Sequence, residues 1–205
     1  MMYRIEKVLN HNTVMAIHQD DHKEVLIMGK GVGFGRKVAE RIEVRPEDVI
    51  FSPKYKERGG AKEIVKSIAP EFLEVTNAVL DEAEKIFGKI DRMVLFPLAD
   101  HIAFAVKRIQ NHEQISNPLT EDIRVLFHME FKAAESIRPL LQKQFGIDIE
   151  DDEVGYVALH IHSAIEDEKV SQAMQMARSV RECISMVEES NRKSRSISHR
   201  YPITV

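Results

Sequence analysis

The spacing of apolar residues changes once along this chain of 205 residues, near residue 60. Before that point, short alternating runs separated by polar turns recur at roughly ten-residue intervals, which predicts a small antiparallel meander. After it, apolar residues recur at three- and four-residue steps, which predicts helices. The predicted fold class is therefore α+β and multidomain, with a small antiparallel β-sheet domain followed by an all-α helical bundle. The expected strands cover 3–9, 13–17, 24–28, 41–44 and 49–51.

Glycine and proline residues divide the helical part. Gly88 and Gly146 are expected to end helices, and Pro97 suits the first turn of one. Pro139 is expected to kink or divide the long helical pattern that precedes Gly146. The acidic residues at 151–153 are expected to begin another helix, because negative charge is favourable near a helix N-terminus.

The C-terminal end of the chain has two parts. A last helix is expected over about 170–189, where apolar residues still recur at helical spacing. The segment 190–205 is basic and rich in serine and loses this spacing. It is therefore predicted to be an irregular tail.

Composition excludes several classes of protein. Cys183 is the only cysteine, which excludes an intramolecular disulfide and a multi-cysteine zinc site. No apolar run approaches the roughly 20 residues of a membrane helix, and the N-terminus lacks a signal peptide, so no membrane insertion and a cytoplasmic location are expected. Residues 1–55 carry a formal net charge of +1 and residues 56–205 a net charge of −5. Two domains with different partners fit this asymmetry.

Alternating glycines at 29, 31, 33 and 35 form the most unusual motif of the β part. Their spacing fits neither a Walker A loop nor a dinucleotide-binding fingerprint nor a kinase glycine loop, which argues against nucleotide catalysis. Two interpretations stay open. The glycines could form a hairpin turn with no further role, or they could let RNA approach the backbone. In the second case Phe34 offers a stacking face, and Lys30, Arg36 and Lys37 offer positive charge.

Three histidines in the helical part are candidate functional residues. His101 follows Asp100 near the start of a helix, and His160 and His162 form a His-x-His string on another. Residues two apart on a helix point about 200° apart, so these two cannot ligate one metal ion together. A histidine can also accept a phosphoryl group on a ring nitrogen when a neighbour orients it. An ordinary packing or surface role is the alternative for each.

Several strings of this sequence resemble those of one family. Asn10-His11-Asn12, residues 28–31 (MGKG) and Gly33-Phe34 resemble its RNA-binding signature. Residues 98–105 (LADHIAFA) and 153–161 (EVGYVALHI) resemble its two regulatory-histidine motifs. The family is that of the BglG-type transcriptional antiterminators, the LicT, SacY and GlcT group, and the string at 160–164 (HIHSA) is most similar to its glucose-operon members.

The resemblance implies a domain order and a set of RNA contacts. Residues 1–55 would form a co-antiterminator RNA-binding domain, 56–62 a linker and 63–168 the first PTS regulation domain. A homodimer of the first domain would bind an RNA hairpin in a nascent leader and stabilise it against an overlapping terminator. The implied RNA-binding residues are Lys7, Asn10, Asn12, Gly29, Lys30 and Phe34.

The resemblance also implies regulation by the phosphotransferase system. His101 and His160 would accept phosphoryl groups from a sugar-specific enzyme II, with the general phosphocarrier protein as a second candidate donor. Such a chain would be a regulator and not an enzyme, without a cofactor or a metal. A second regulation domain should follow, and residues 169–205 match only its first helix, so a truncated second domain with an irregular tail is expected. His162 and His199 receive no role.

Two other functions remain in view. The chain could be a histidine phosphocarrier or a sugar-metabolism enzyme in which the β domain is only structural. It could also be a DNA-binding activator that carries the same regulation domain, although residues 1–60 lack a helix-turn-helix pattern.

Overall fold

A computed structural model describes residues 1–51, 68–113, 115–166 and 169–200, with side chains given up to residue 190 and for Arg192 in the last of these ranges. The expected linker at 56–62, the start of the helical domain at residue 63 and the last residues, 201–205, lie outside the described residues. By its internal contacts the chain divides into two compact units. One comprises Met1–Ala78 and Leu95–Gln110, and the other comprises Val79–Val94 and Asn111–Val205.

The β part is a five-stranded antiparallel sheet of β1 (Met2–Asn10), β2 (Thr13–His18), β3 (Glu24–Met28), β4 (Arg41–Glu43) and β5 (Val49–Phe51). The strand order across the sheet is β4-β1-β2-β3-β5. The first three strands form the predicted meander. The fourth strand then returns to pair with β1, and the fifth pairs with β3, so the last two strands lie at opposite edges.

Alternation along the strands gives the sheet two apolar faces. One face is a cluster of buried side chains contributed by four strands and by Val32 of the glycine motif. Its buried members are Tyr3, Ile5, Val14, Ala16, Val25, Ile27, Val32 and Ile42. Met15, Leu26, Met28 and Phe51 are also buried, and the ring of Phe51 lies 5.4 Å, centroid to centroid, from that of Phe96 in the same unit. A one-residue slip would move every one of these side chains to the opposite face, so the packing of each set on its own face fixes the register.

The helical part contains seven α-helices and one 3₁₀ helix among the described residues. Gly88 and Gly146 follow two of these helices with φ angles of 76° and 67°, which confirms both as helix ends. Pro97 is the third residue of its helix and 151–153 form the first turn of another, as predicted. The helices are α1 (Pro70–Phe87), the 3₁₀ helix (Arg92–Val94), α2 (Leu95–Gln110), α3 (Thr120–Leu126), α4 (His128–Ala134), α5 (Ile137–Phe145), α6 (Asp151–Glu166) and α7 (Val170–Arg200).

The long helical pattern before Gly146 is divided twice. One break falls at Glu135 and Ser136, just before the helix that carries Pro139 in its first turn, where a missing N–H costs nothing. The other falls at Phe127, whose φ and ψ of −116° and 45° are not helical although its ring is buried. Neither glycine nor proline marks this second break, so the sequence did not predict it.

The predicted irregular tail was wrong for residues 190–200. Helix α7 continues to Arg200 instead of ending near residue 189. This segment contains neither glycine nor proline, and its lysine and arginines are favourable helix formers, so an existing helix can extend through it without an apolar face.

Helix α6 lies at the centre of the second unit. It contacts α3, α4, α7 and the 3₁₀ helix, and most of its inward side chains are fully buried. Its N-terminus is fixed by charge, since the carboxylate of Asp151 accepts hydrogen bonds from Arg124 and Arg138. Asp152 accepts from the backbone N–H of Asn117 at 3.0 Å. None of the described helices is both long and apolar enough to span a bilayer.

Candidate nucleic-acid interface

The glycine segment, residues 29–35, is a series of consecutive turns that follows β3. The N–H groups of Val32, Phe34 and Arg36 each donate to the carbonyl three residues earlier, at 3.1–3.2 Å. Gly31 and Gly35 have φ angles of 71° and 68°, a region that favours glycine. The segment therefore bends continuously and exposes backbone between its hydrogen bonds.

Two further glycines are required by close contacts inside the protein. A Cβ on Gly33 would lie 2.2 Å from the carbonyl oxygen of Asn10, and one on Gly29 would lie 1.8 Å from Oδ1 of Asp48. A Cβ on Gly31 would meet nothing within 4 Å. The hairpin-turn interpretation thus accounts for Gly29 and Gly33, while the open space beside Gly31 leaves room for a ligand.

The asparagine turn, residues 10–12, lies against the glycine segment. The carbonyl of Asn12 accepts from the N–H of Gly29 at 2.9 Å, and its side-chain Oδ1 accepts from the N–H of Gly31 at 2.7 Å. The carbonyl of His11 accepts from the N–H of Gly33 at 2.9 Å. These bonds join two turns that are about 20 residues apart in sequence into one surface.

The same hydrogen bonds fix how both asparagine side chains are oriented. Oδ1 of Asn10 accepts from the N–H of Asn12 at 2.9 Å, and Oδ1 of Asn12 accepts from Gly31. Only the oxygen of an amide can accept from an N–H. These two bonds leave the NH₂ groups of Asn10 and Asn12 unused, and an NH₂ group can donate to a ligand but cannot accept from one.

Phe34 is the aromatic side chain of this surface. It is 69% exposed, although its ring edge contacts the ring of His11 with centroids 5.2 Å apart. Lys30 is exposed beside it. The structure therefore brings together five of the six predicted RNA-binding residues. Lys7 is exposed on β1, and none of the described contacts joins its side chain to the two turns.

Arg45 and Asp48 form an ion pair next to the glycine segment that no sequence motif indicates. Asp48, whose side chain is 1% exposed, accepts from Nε and Nη2 of Arg45 at 3.2 and 2.7 Å and from the Arg45 backbone N–H at 2.9 Å. Nη2 of Arg45 also donates to the carbonyl of Lys30 at 2.8 Å. Burial by itself would raise the pKa of Asp48, but the hydrogen bonds and charge of Arg45 outweigh it and lower that pKa.

The two predicted phosphoryl acceptors lie in different units. His101 is half-buried on α2, in the same unit as the sheet, and Phe104 one turn later is 61% exposed. His160 is half-buried on α6 in the other unit. Among the residues that the structure describes, no group of three or more His, Cys, Asp or Glu side chains could hold a metal ion.

His162 differs from both. Its Nδ1 lies 3.0 Å from Oε1 of Glu130 on α4, and its ring centroid lies 4.4 Å from that of Phe127. This histidine, which received no role from the sequence, is an internal packing residue of the second unit. The backbone of His199 is helical, but its side chain lies outside the described residues.

Two family models match the chain, one to each part. The model of the CAT RNA binding domain matches residues 3–58, and that of the PRD domain matches residues 73–164. The first match contains both turns described above, and the second contains His101 and His160.

Named relatives and a solved structure agree with these matches. The chain is 31% identical over 170 residues to the GlcA/glcB genes antiterminator of Staphylococcus carnosus, covering 80% of this chain and 58% of that protein. It is 26% identical over 186 residues to the transcription antiterminator LicT of Bacillus subtilis, covering 90% of this chain and 67% of that protein.

The solved structure described as GlcT CAT-PRDI matches with a TM-score of 0.68 and 29% identity, covering 81% of this chain and 99% of that chain. The antiterminator relatives are longer proteins, since this chain spans 58% and 67% of the two. Two domain models in the expected order, these relatives and a solved structure of the same fold together show that the chain belongs to the family of BglG-type antiterminators, with a CAT RNA-binding domain followed by a PRD domain.

Proposed function

We propose that this chain is a transcriptional antiterminator. It binds a hairpin in a nascent leader RNA, stabilises that hairpin against an overlapping terminator, and so lets polymerase read into a sugar-utilisation operon. It acts in the cytoplasm. It is a homodimer, because a domain of about 50 residues buries too little apolar surface to be stable as a monomer. It is a regulator and not an enzyme, and it needs no cofactor.

One observation carries the RNA-binding role. The asparagine turn and the glycine segment are hydrogen-bonded into one surface that presents an exposed aromatic ring, two amide donors and a lysine. These are the groups that recognise unpaired RNA bases, which stack on aromatic rings and offer their edges and backbone to donors and cations. Lys7, Asn10, Asn12, Gly29, Lys30 and Phe34 are the proposed RNA-binding residues.

The regulatory role concerns the helical part. His101 and His160 accept phosphoryl groups from a sugar-specific enzyme II of the phosphotransferase system, or from its general phosphocarrier protein. A phosphorylated histidine adds about 1.5 to 2 negative charges, and the chain beyond residue 55 already has a net charge of −5. Added repulsion in this acidic part would weaken a dimer interface.

The test of RNA binding uses the whole chain and a leader hairpin that overlaps a terminator, taken from upstream of the encoding gene. Filter binding should give a dissociation constant well below that for the same hairpin with its unpaired bases closed into pairs. In a transcription assay, the chain should raise read-through of the intact leader only. Equal affinity for both hairpins and for duplex DNA would contradict the proposal.

A further inference from the structure

The backbone of residues 29–31 is held from two sides. On one side, Asn12 accepts from the N–H groups of Gly29 and Gly31. On the other side, the guanidinium of Arg45 donates to the carbonyl of Lys30 at 2.8 Å. The peptide group between Lys30 and Gly31 is therefore held at both ends by residues that are distant in sequence, its carbonyl by Arg45 and its N–H by Asn12.

The Arg45 side of this arrangement is rigid because Asp48 fixes the guanidinium. Two nitrogens of Arg45 meet two oxygens of Asp48, and such fork-to-fork pairs are both strong and directional. The carboxylate is buried and packs so closely against Gly29 that a Cβ there would overlap it. A shift of Asp48 would therefore disturb its packing against Gly29 and move the Arg45 guanidinium that donates to the Lys30 carbonyl.

Lys30 itself is exposed and belongs to the proposed RNA surface. A flexible lysine contacts a phosphate at least cost when its own backbone is already ordered before binding. The pair reaches that backbone without presenting Asp48 to solvent, since only 1% of the Asp48 side chain is exposed.

We infer that Arg45 and Asp48 are positioning residues for RNA binding, which hold residues 29–31 in the conformation that presents Lys30 and the Gly31 backbone to the hairpin. This inference rests on the proposed function. It makes a buried acid a requirement for binding a polyanion.

Because of that requirement, simple electrostatics and a positioning role predict opposite changes in hairpin affinity when the charge of Asp48 is removed. Asp48→Asn removes a negative charge from the RNA-binding domain, so electrostatics alone predicts tighter binding. A positioning role predicts the opposite, a loss of about tenfold or more in affinity for the hairpin. Glu47→Gln is the matched control, since Glu47 is 64% exposed and its Oε1 lies 3.5 Å from Nε of Arg45. It makes the same charge change and should bind as tightly as the wild type or slightly more tightly.

Arg45→Lys separates positioning from simple charge. Lysine keeps the positive charge, but a single ammonium cannot reproduce the fork to Asp48 together with the bond to the Lys30 carbonyl. The variant should therefore lose affinity about as strongly as Asp48→Asn. Lys30→Ala should flatten the salt dependence of binding, because it removes a phosphate contact, and Asp48→Asn should flatten it less, because the lysine is still present but no longer positioned.

A measurement without RNA distinguishes positioning from general loss of the fold. Hydrogen exchange of the Gly29 and Gly31 amides should quicken in both variants, while amides of β2 keep wild-type protection. The inference is overturned if Asp48→Asn binds as tightly as Glu47→Gln, if Arg45→Lys binds like the wild type, or if all amides of the sheet exchange faster together. Failure of the wild type to bind any hairpin would refute the proposed function, and the positioning role with it.

Discussion

Nδ1 of His162 lies 3.0 Å from Oε1 of Glu130, which joins helix α6 to helix α4. Only 12% and 14% of the two side chains are exposed. An ionised carboxylate can only accept, so the ring nitrogen is the donor. The second histidine of the His-x-His string therefore serves the packing of its unit, and it lies on a different side of α6 from His160.

Removing this histidine should destabilise the second unit. His162→Ala is expected to lower the free energy of unfolding by about 2–4 kcal/mol, because it deletes a packed ring and leaves a nearly buried carboxylate without its donor. Glu130→Gln keeps an accepting oxygen and should cost less than Glu130→Ala. Urea denaturation measures all three. His128→Ala, at an exposed position on α4, is the control and should change stability by less than about 0.5 kcal/mol. A loss for His162→Ala as small as this control would contradict a stabilising role.

Local patterns in the sequence were enough for much of the fold. Short apolar or alternating runs between polar turns located all five strands, and Gly88 and Gly146 ended their helices because each takes a positive φ there. The break at Phe127 could not be foreseen, since neither glycine nor proline marks it. The helix at 190–200 was missed because its sequence lacks the apolar spacing on which the prediction depended.

The candidate interface was predicted less completely. Asn12 and Gly31 were both identified from motifs, but their hydrogen bond joins residues 19 apart and follows from strand pairing, which sequence spacing does not reveal. Arg45 and Asp48 belong to none of the motifs that the sequence offers. The bond from Arg45 to the Lys30 carbonyl forms because β5 pairs with β3 and brings the two loops together.

Phe34 offers the simplest test of the RNA surface. Phe34→Ala should weaken binding to the cognate hairpin by about 1–3 kcal/mol, the usual worth of a base stacked on an aromatic ring. Its stability should barely change, because the side chain is 69% exposed. Filter binding and circular dichroism measure the two effects. Val38→Ala removes another exposed apolar side chain, 63% accessible, and should leave affinity unchanged. Hairpin affinity that survives Phe34→Ala would remove this residue from the interface.

Asn10 allows the donor role of its amide to be separated from its structural role. Asn10→Asp keeps the oxygen that accepts from the N–H of Asn12, but it replaces the NH₂ donor with a charge that repels RNA. Asn10→Ala removes both groups. Thermal melts should therefore show Asn10→Asp closer to the wild type than Asn10→Ala, while Asn10→Asp binds the hairpin at least about tenfold more weakly than the wild type. Tight binding by Asn10→Asp would mean that the amide does not donate to RNA.

Stability should depend on pH through Asp48. Its pKa is lowered in the folded protein, because the hydrogen bonds from Arg45 outweigh the effect of burial. A carboxyl whose pKa is depressed by folding stabilises the fold above its unfolded pKa of about 4, and loses that contribution as pH falls toward the lower folded value. The difference in unfolding free energy between the wild type and Asp48→Asn should be constant from pH 5 to 7 and should shrink below about pH 4. Urea titrations that give the same difference at low pH would contradict this linkage.

The regulatory histidines give the last prediction. The chain should be incubated with phosphoenolpyruvate, the general relay proteins and a sugar-specific enzyme II, and then analysed by mass spectrometry under non-acidic conditions. Phosphate is expected on His101 and His160, which are half-buried and lie in the two matched regulatory motifs. His162 should stay unmodified, because its ring is packed against Phe127 and bonded to Glu130. His128→Ala controls for a general effect of removing a histidine and should be modified like the wild type.

The consequence for function follows from charge. Each phosphoryl group adds about 1.5 to 2 negative charges to an already acidic part of the chain, so modification should weaken dimerisation and antitermination. His101→Asp should reproduce this inactive state, and His101→Ala should keep read-through active when the sugar is absent. Sedimentation velocity and a transcription assay measure the two effects. If neither histidine carries phosphate, or if His101→Ala is still fully repressed without sugar, the regulatory switch must lie at other residues.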